Sequence, residues 1–255
     1  MNQRNDEAPD TSGEDKAAPT RRQHLEFHLR TRPADREGYL ELATIYREEN
    51  RPLNAARILE QAHEIFPDDS TVLWEWEEAQ LARSVQQLVE VRDLAERLRN
   101  PAADQELERA KVDWANCRLR VCRQRLQRDP SMDYLRLVIG EALYDSERYE
   151  EAVEELMTLS QSDDHSPAAF LLMGRCQLVL SRDMDAMKSL RAASMRRAVV
   201  GAPKIRAAAL KLLCDLADRH GLTATLEQYR NQLEALGGLI SNGETAPTSS
   251  PEGAS

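Results

Sequence analysis

Aromatic residues make up only 5% of the 255-residue chain. Strands draw on aromatic and β-branched side chains, so this scarcity, beside abundant Leu, Ala, Glu and Arg, favours helix over strand. Long apolar runs are missing too: the best, Ala168 to Leu180, is broken by Arg175, and no helix long and apolar enough to cross a membrane is expected. Residues Met1 to Lys16 are polar and acidic, without the apolar stretch of a secretory signal, so no export signal is expected. Cys117, Cys122, Cys176 and Cys214 form no CxxC pair and each sits among helix formers. That is the pattern of small buried thiols in a reducing cytoplasm. No GxSxG, HExxH, GxGxxG or P-loop occurs. The expectation is a non-enzyme with no catalytic residues, no cofactor and no metal. His24 and His28 stand i, i+4 but lack a third ligand. Adjacent residues such as Asp163-Asp164-His165-Ser166 cannot fold into triad geometry and read as a helix-capping loop.

Charge, by contrast, is plentiful and uneven. The net charge is −10, with 44 acids against 34 bases. This balance argues against broad binding to nucleic acid or to an anionic membrane surface. Residues 145–155 hold six acids and one Arg, whereas 116–128 hold Arg118, Arg120, Arg123, Arg125 and Arg128 and no acid. On a helix, Arg118, Arg125 and Arg128 point one way and Arg120 and Arg123 another. A second cluster comprises Arg191, Arg196, Arg197, Lys204 and Arg206. Solvated faces with ion pairs to neighbouring elements are the simpler reading. An RNA-associated or assembly module using the surfaces around 118–128 and 191–206 is the alternative.

Proline supplies the punctuation. Pro33, Pro67 and Pro101 are 34 residues apart, and Pro130, Pro167 and Pro203 follow at 29, 37 and 36. Helices stop before a proline or start on one, and Ser166-Pro167 reads as an N-cap followed by the first helical position. A near-constant period in the thirties points to a helical solenoid. Residues 1–20 and 241–255 have almost nothing to bury and are expected to be disordered tails.

The segment Arg36 to Asp69 shows the unit most fully. Leu42, Ala43 and Tyr46 share one face of a first helix, Asn50-Arg51-Pro52 breaks the chain, and Ala55, Leu59 and Ala62 recur at i, i+4, i+7 on a second. Small residues at Ala43, Ala55 and Ala62 allow two antiparallel helices to approach closely. This arrangement resembles the tetratricopeptide repeat, whose eight signature positions are here Tyr39, Leu42, Ala43, Tyr46, Ala55, Leu59, Ala62 and Pro67. A second copy runs from Asp133 to Ser166, with Gly140, Tyr149, Ala152 and Leu156 in register; Leu143 and Asp164 depart from the pattern. A third is offset by 34 throughout, with Phe170, Gly174, Ala186, Leu190 and Ala193.

The resemblance implies an all-α, right-handed solenoid spanning 21–240. Its parts are a cap helix near 22–31, units near 36–69 and 70–101, a degenerate unit at 102–130, units at 133–166 and 167–200, and a C-terminal hairpin at 203–236 broken at Gly221. The stretch 102–129 contains no breaker and reads as one long helix, or two with little turn. In this family the first helices line a concave face, which here gives Tyr134, Leu137, Glu141, Tyr144, Ala168, Leu171, Arg175 and Leu178, and in the first unit Glu37, Leu40, Thr44 and Arg47. The expected function is a scaffold or adaptor holding a protein or peptide segment in that groove through Tyr134, Leu137, Glu141, Tyr144, Leu171, Arg175 and Leu178. The Lys/Asn carboxylate clamp of some family members is missing, since its positions hold Leu40, Leu137, Leu171, Thr44, Glu141 and Arg175.

Overall fold

Helix α1 (Arg21–Thr31) begins on a capping box, in which the Thr20 hydroxyl accepts from the Gln23 backbone N–H and the Gln23 side chain accepts from that of Thr20. The computed structural model describes residues 20–161, 164–195 and 199–243. Residues 1–19 and 244–255 of the expected tails lie outside the described residues. Thr20 belongs to the first helix as its cap, and the last helix continues to Gly243, beyond the expected start of the tail at 241. Among the described residues all regular structure is helical, in eleven α-helices and one 3-10 turn. The chain divides into two compact units between Arg83 and Ser84.

The first unit holds α1, α2 (Arg36–Glu48), α3 (Pro52–Ile65) and the opening turns of α4 (Ser70–Leu98). Seven of the eight signature positions in Arg36–Asp69 are buried: Tyr39, Leu42, Ala43, Tyr46, Ala55, Leu59 and Ala62. The eighth, Pro67, lies in the turn after α3. Leu25 and Leu29 of α1 complete this core from one side and Val72 of α4 from the other. Ala43, Ala56, Leu59 and Ala79 form a smaller cluster, and His63 stacks on Trp76 at 4.7 Å. Asp69 closes the repeat and opens the next helix: its Oδ1 accepts from the backbone N–H groups of Thr71 and Val72, each at 2.9 Å. Its Oδ2 accepts from Arg36 Nε at 2.5 Å, tying the two ends of the repeat together. The Arg36 hydrogen bond, followed by that from Val72, holds the Asp69 carboxyl below its usual range.

The second unit holds the rest of α4, then α5 (Pro101–Arg128), α6 (Leu135–Asp145), α7 (Tyr149–Met157) with a 3-10 turn (Thr158–Gln161), α8 (Ser166–Val179), α9 (Asp183–Met195), α10 (Pro203–Arg219) and α11 (Thr223–Gly243). From α5 onward each helix packs on the next, and α8 also touches α6 and α10. Ala115, Leu119 and Cys122 of α5 enter one core with Ile139, Leu143, Leu156 and Cys176. Leu190, Leu210, Leu213 and Tyr229 lead a second core from α9 to α11, and Phe170 packs against both.

Two local devices repeat. The helix pairs cross at a glycine facing a leucine. A Cβ on Gly140 would come within 2.6 Å of Leu156, and one on Gly174 within 2.6 Å of Leu190. Both leucines are fully buried. The turns between paired helices are also alike: Asn50, Glu147, Ser181 and Gly221 all have positive φ, between 55° and 66°. The next residue's N–H reaches back to a helical carbonyl, as Arg51 to Tyr46, Arg148 to Leu143, Arg182 to Gln177 and Leu222 to Ala217. These are Schellman-type C-caps, which satisfy the last carbonyls of one helix and reverse the chain into the next.

The tetratricopeptide-like pairing is thus present in both units, but two expectations need correction. Residues 70–101 do not form a helix pair. Ser70 to Leu98 is one continuous helix with neither Gly nor Pro to break it, and α5 is likewise unbroken after Pro101. Ser166 is not the N-cap of α8: the cap is His165, and the Ser166 hydroxyl is buried with no hydrogen-bond partner.

Candidate protein-binding groove

Helix α8 carries a single charged residue, Arg175. Its Ala169, Met173 and Cys176 face the core, and burial pushes the Cys176 thiol up to about 11. The opposite flank of α8 lies between α6 and α10 and floors a groove of about 450 Å³. Leu137 of α6, Leu171 of α8 and Ile205 of α10 line it together with Ala168 and Leu172. Positions 137, 171 and 205 are 34 apart, so the same repeat position on three successive first helices supplies one apolar row.

The polar rim is of two kinds. Arg118 of α5 is paired with Asp145 of α6, lies over the Trp114 ring with 5.0 Å to its centroid, and is only 12% exposed. It is a fixed wall. Arg175 is exposed and rests over the Tyr144 ring at 5.2 Å; Tyr144 in turn meets Tyr149 edge-on at 5.4 Å. A ring face attracts the guanidinium charge but leaves its N–H donors without acceptors. Glu141, at the same repeat position one unit earlier, is exposed in the same groove.

Leu137, Glu141, Tyr144, Ala168, Leu171 and Arg175 are therefore brought together where the concave face was expected. Tyr134 and Leu178 are not among the lining residues. Tyr134 sits at the N-cap of α6, 45% exposed, and Leu178 packs against the α9–α11 core. In the first unit Leu40 packs on the core, Thr44 bonds back to its own helix, and Arg47 pairs with Glu75 at 2.6 Å. Sequence reasoning missed Arg118, Asp145, Leu172 and Ile205 as groove residues. Ile205 was readable by extending the 34-residue offset once more. Arg118 was not, because α5 keeps no repeat phase.

The first unit has a larger hollow, of about 770 Å³, bordered by α1 and α2. Several of its polar groups are already engaged. Arg21 pairs with Glu41 at 2.6 Å, and Asp35 bonds both His28 at 2.8 Å and the Gly38 N–H at 3.1 Å. The latter bond, followed by that to His28, holds the Asp35 carboxyl low. His28 is thus committed to Asp35, and among the described residues no three His, Cys, Asp or Glu side chains converge as a metal site.

The arginine-rich surfaces are largely internal in their bonding. Arg125 is buried, and Arg120, Arg125 and Arg128 each have an intramolecular partner. Arg191 donates to the Tyr229 hydroxyl at 2.6 Å, and Arg206 to the Ser194 carbonyl at 3.1 Å. Arg196 and Arg197 of the second cluster lie outside the described residues, as does Asp163 of the triad-like run.

No family model and no curated protein matches the chain. Among solved structures it is similar to PilW, a widely conserved type IV pilus biogenesis factor, at 20% identity and a TM-score of 0.40, over 83% of this chain and 82% of that one. It is similar also to PilF of Pseudomonas aeruginosa, at 18% identity and a TM-score of 0.41, over 83% and 86%. Likenesses at that level assign neither a family nor a partner.

Proposed function

We propose that this chain is a non-catalytic interaction scaffold that holds a segment of a partner protein in the groove between α6, α8 and α10. The carrying observation is the convergence of an apolar row, Leu137, Leu171 and Ile205, with half-buried Tyr144 and the exposed Glu141 and Arg175 in one groove. Aromatic and Arg side chains around an apolar floor are the composition of energetically dominant interface anchors. The groove offers no cluster of convergent acids, bases and nucleophiles such as catalysis requires. Four free cysteines, with Cys122 and Cys176 buried, support a reducing cytoplasm as its setting.

The test is a native pull-down from source-cell lysate read by mass spectrometry, comparing wild type with the Tyr144→Ala/Arg175→Glu double variant at equal helicity. A protein recovered by wild type and lost from the variant is the expected result. Identical partner lists would remove the groove from the account. Recovered RNA that washes off steeply with salt would transfer the function to the arginine surfaces.

A further inference from the structure

Resting on the groove reading above, we infer that the bound segment is dipolar: an apolar side chain seated on the Leu137–Leu171–Ile205 row, flanked by an acid that pairs with Arg175 and a base that pairs with Glu141. The segment therefore lies in the groove in one direction.

Several described arginines elsewhere in the second unit have acceptors. Arg118 pairs with Asp145, Arg136 with Glu155 at 2.6 Å, Arg148 with Glu151, and Arg191 bonds the Tyr229 hydroxyl. Arg175 differs. Among the described residues its cation has only the Tyr144 face, and no carboxylate stands within ion-pair distance. Among the described residues Glu141 has no ion-pair partner either. The two occupy equivalent positions on adjacent first helices, 34 residues apart, yet do not pair with each other. One groove thus presents a negative group on the α6 side and a positive group on the α8 side, with an apolar row alongside.

A guanidinium offers five donors in a planar fork suited to a carboxylate, and contact with Tyr144 aligns it without using them. The chain's net charge of −10 means that an acidic partner gains nothing from long-range steering. The Arg175 contact therefore acts as a local determinant of register and direction.

A phage library of random twelve-residue peptides, panned separately on full-length wild type, Arg175→Glu and Glu141→Lys, tests this. Each variant is first matched to wild type in helical circular dichroism, with Arg175→Leu as the substitute should Arg175→Glu lose structure. Wild type is expected to enrich peptides with an apolar residue at a fixed offset from Asp or Glu on one side and from Lys or Arg on the other. Arg175→Glu is expected to replace the acid by a base, and Glu141→Lys the base by an acid. A synthetic wild-type consensus peptide with its acid changed to the amide should bind wild type roughly tenfold more weakly, the scale of a hydrogen bond to a charged group. Its affinity for Arg175→Leu should be unaffected by that change.

Peptides that need Leu171 (lost with Leu171→Glu) but carry no charged position, or a consensus unchanged by Arg175→Glu, would overturn the dipolar inference and leave the groove reading standing. Enriched peptides that bind Leu171→Glu as well as wild type would overturn both.

Discussion

At the scale of single residues, the room for one methyl group sets how closely paired helices cross. Gly140 and Gly174 lie at crossings where the facing leucines, Leu156 and Leu190, are fully buried and cannot swing outward. The corresponding pair in the first unit is Ala43 and Leu59, which share one cluster, so the same crossing can be built around a Cβ when the helices are spaced for it. Gly140→Ala is therefore expected to overpack rather than abolish the fold, at about 1–3 kcal/mol. Urea unfolding of the variant would show a lowered midpoint, and adding Leu156→Val should restore part of the loss by vacating the space. A full-strength Gly140→Ala protein, or a double variant weaker than the sum of its parts, would mean that the glycine is not there for close approach.

At the scale of elements, the repeat was legible because it is written twice over, in small residues at the crossings and in breakers at the turns. All the signature positions of Arg36–Asp69 fell into place for that reason. What was not legible follows from the same logic. The period of 34 between Pro67 and Pro101 suggested a unit, but Ser70–Leu98 contains no Gly, Pro or Asn to end a helix midway, and the absence of a breaker outweighed the period. In α5 the same absence left one long helix or two with little turn as the readings, and it is one. The groove divided likewise: most of its residues in repeat phase were found, Ile205 excepted, whereas Arg118, which pairs with Asp145 across 27 positions, comes from a helix without phase.

The turns carry a second prediction. Glu147 and Ser181 hold the left-handed conformation that Gly221 adopts without a Cβ penalty. Glu147→Gly is expected to stabilise the protein by about 0.5–1 kcal/mol, the left-handed penalty less the added freedom of the unfolded chain. A raised thermal midpoint would bear this out. An unchanged or lower one would show that the Glu147 side chain contributes more than its backbone costs.

At the scale of the whole molecule, two compact units share one construction rule and differ in what they leave unsatisfied. The first pairs several of its charges internally, as in Arg21–Glu41 and Arg47–Glu75. The second keeps an apolar row and two unmatched charges open in the α6–α8–α10 groove. This groove, where unpaired charges stand beside an apolar row, is where the proposed function is placed. The most direct test is site-specific photo-crosslinking in living source cells. A benzophenone amino acid replaces Ile205 in the groove or, as a control, Val179, which is exposed on α8 but does not line it. The expected result is a light-dependent adduct with a discrete partner from position 205 and none from position 179. An adduct from 179 with none from 205 would contradict the claim that this groove is where the protein meets its partner.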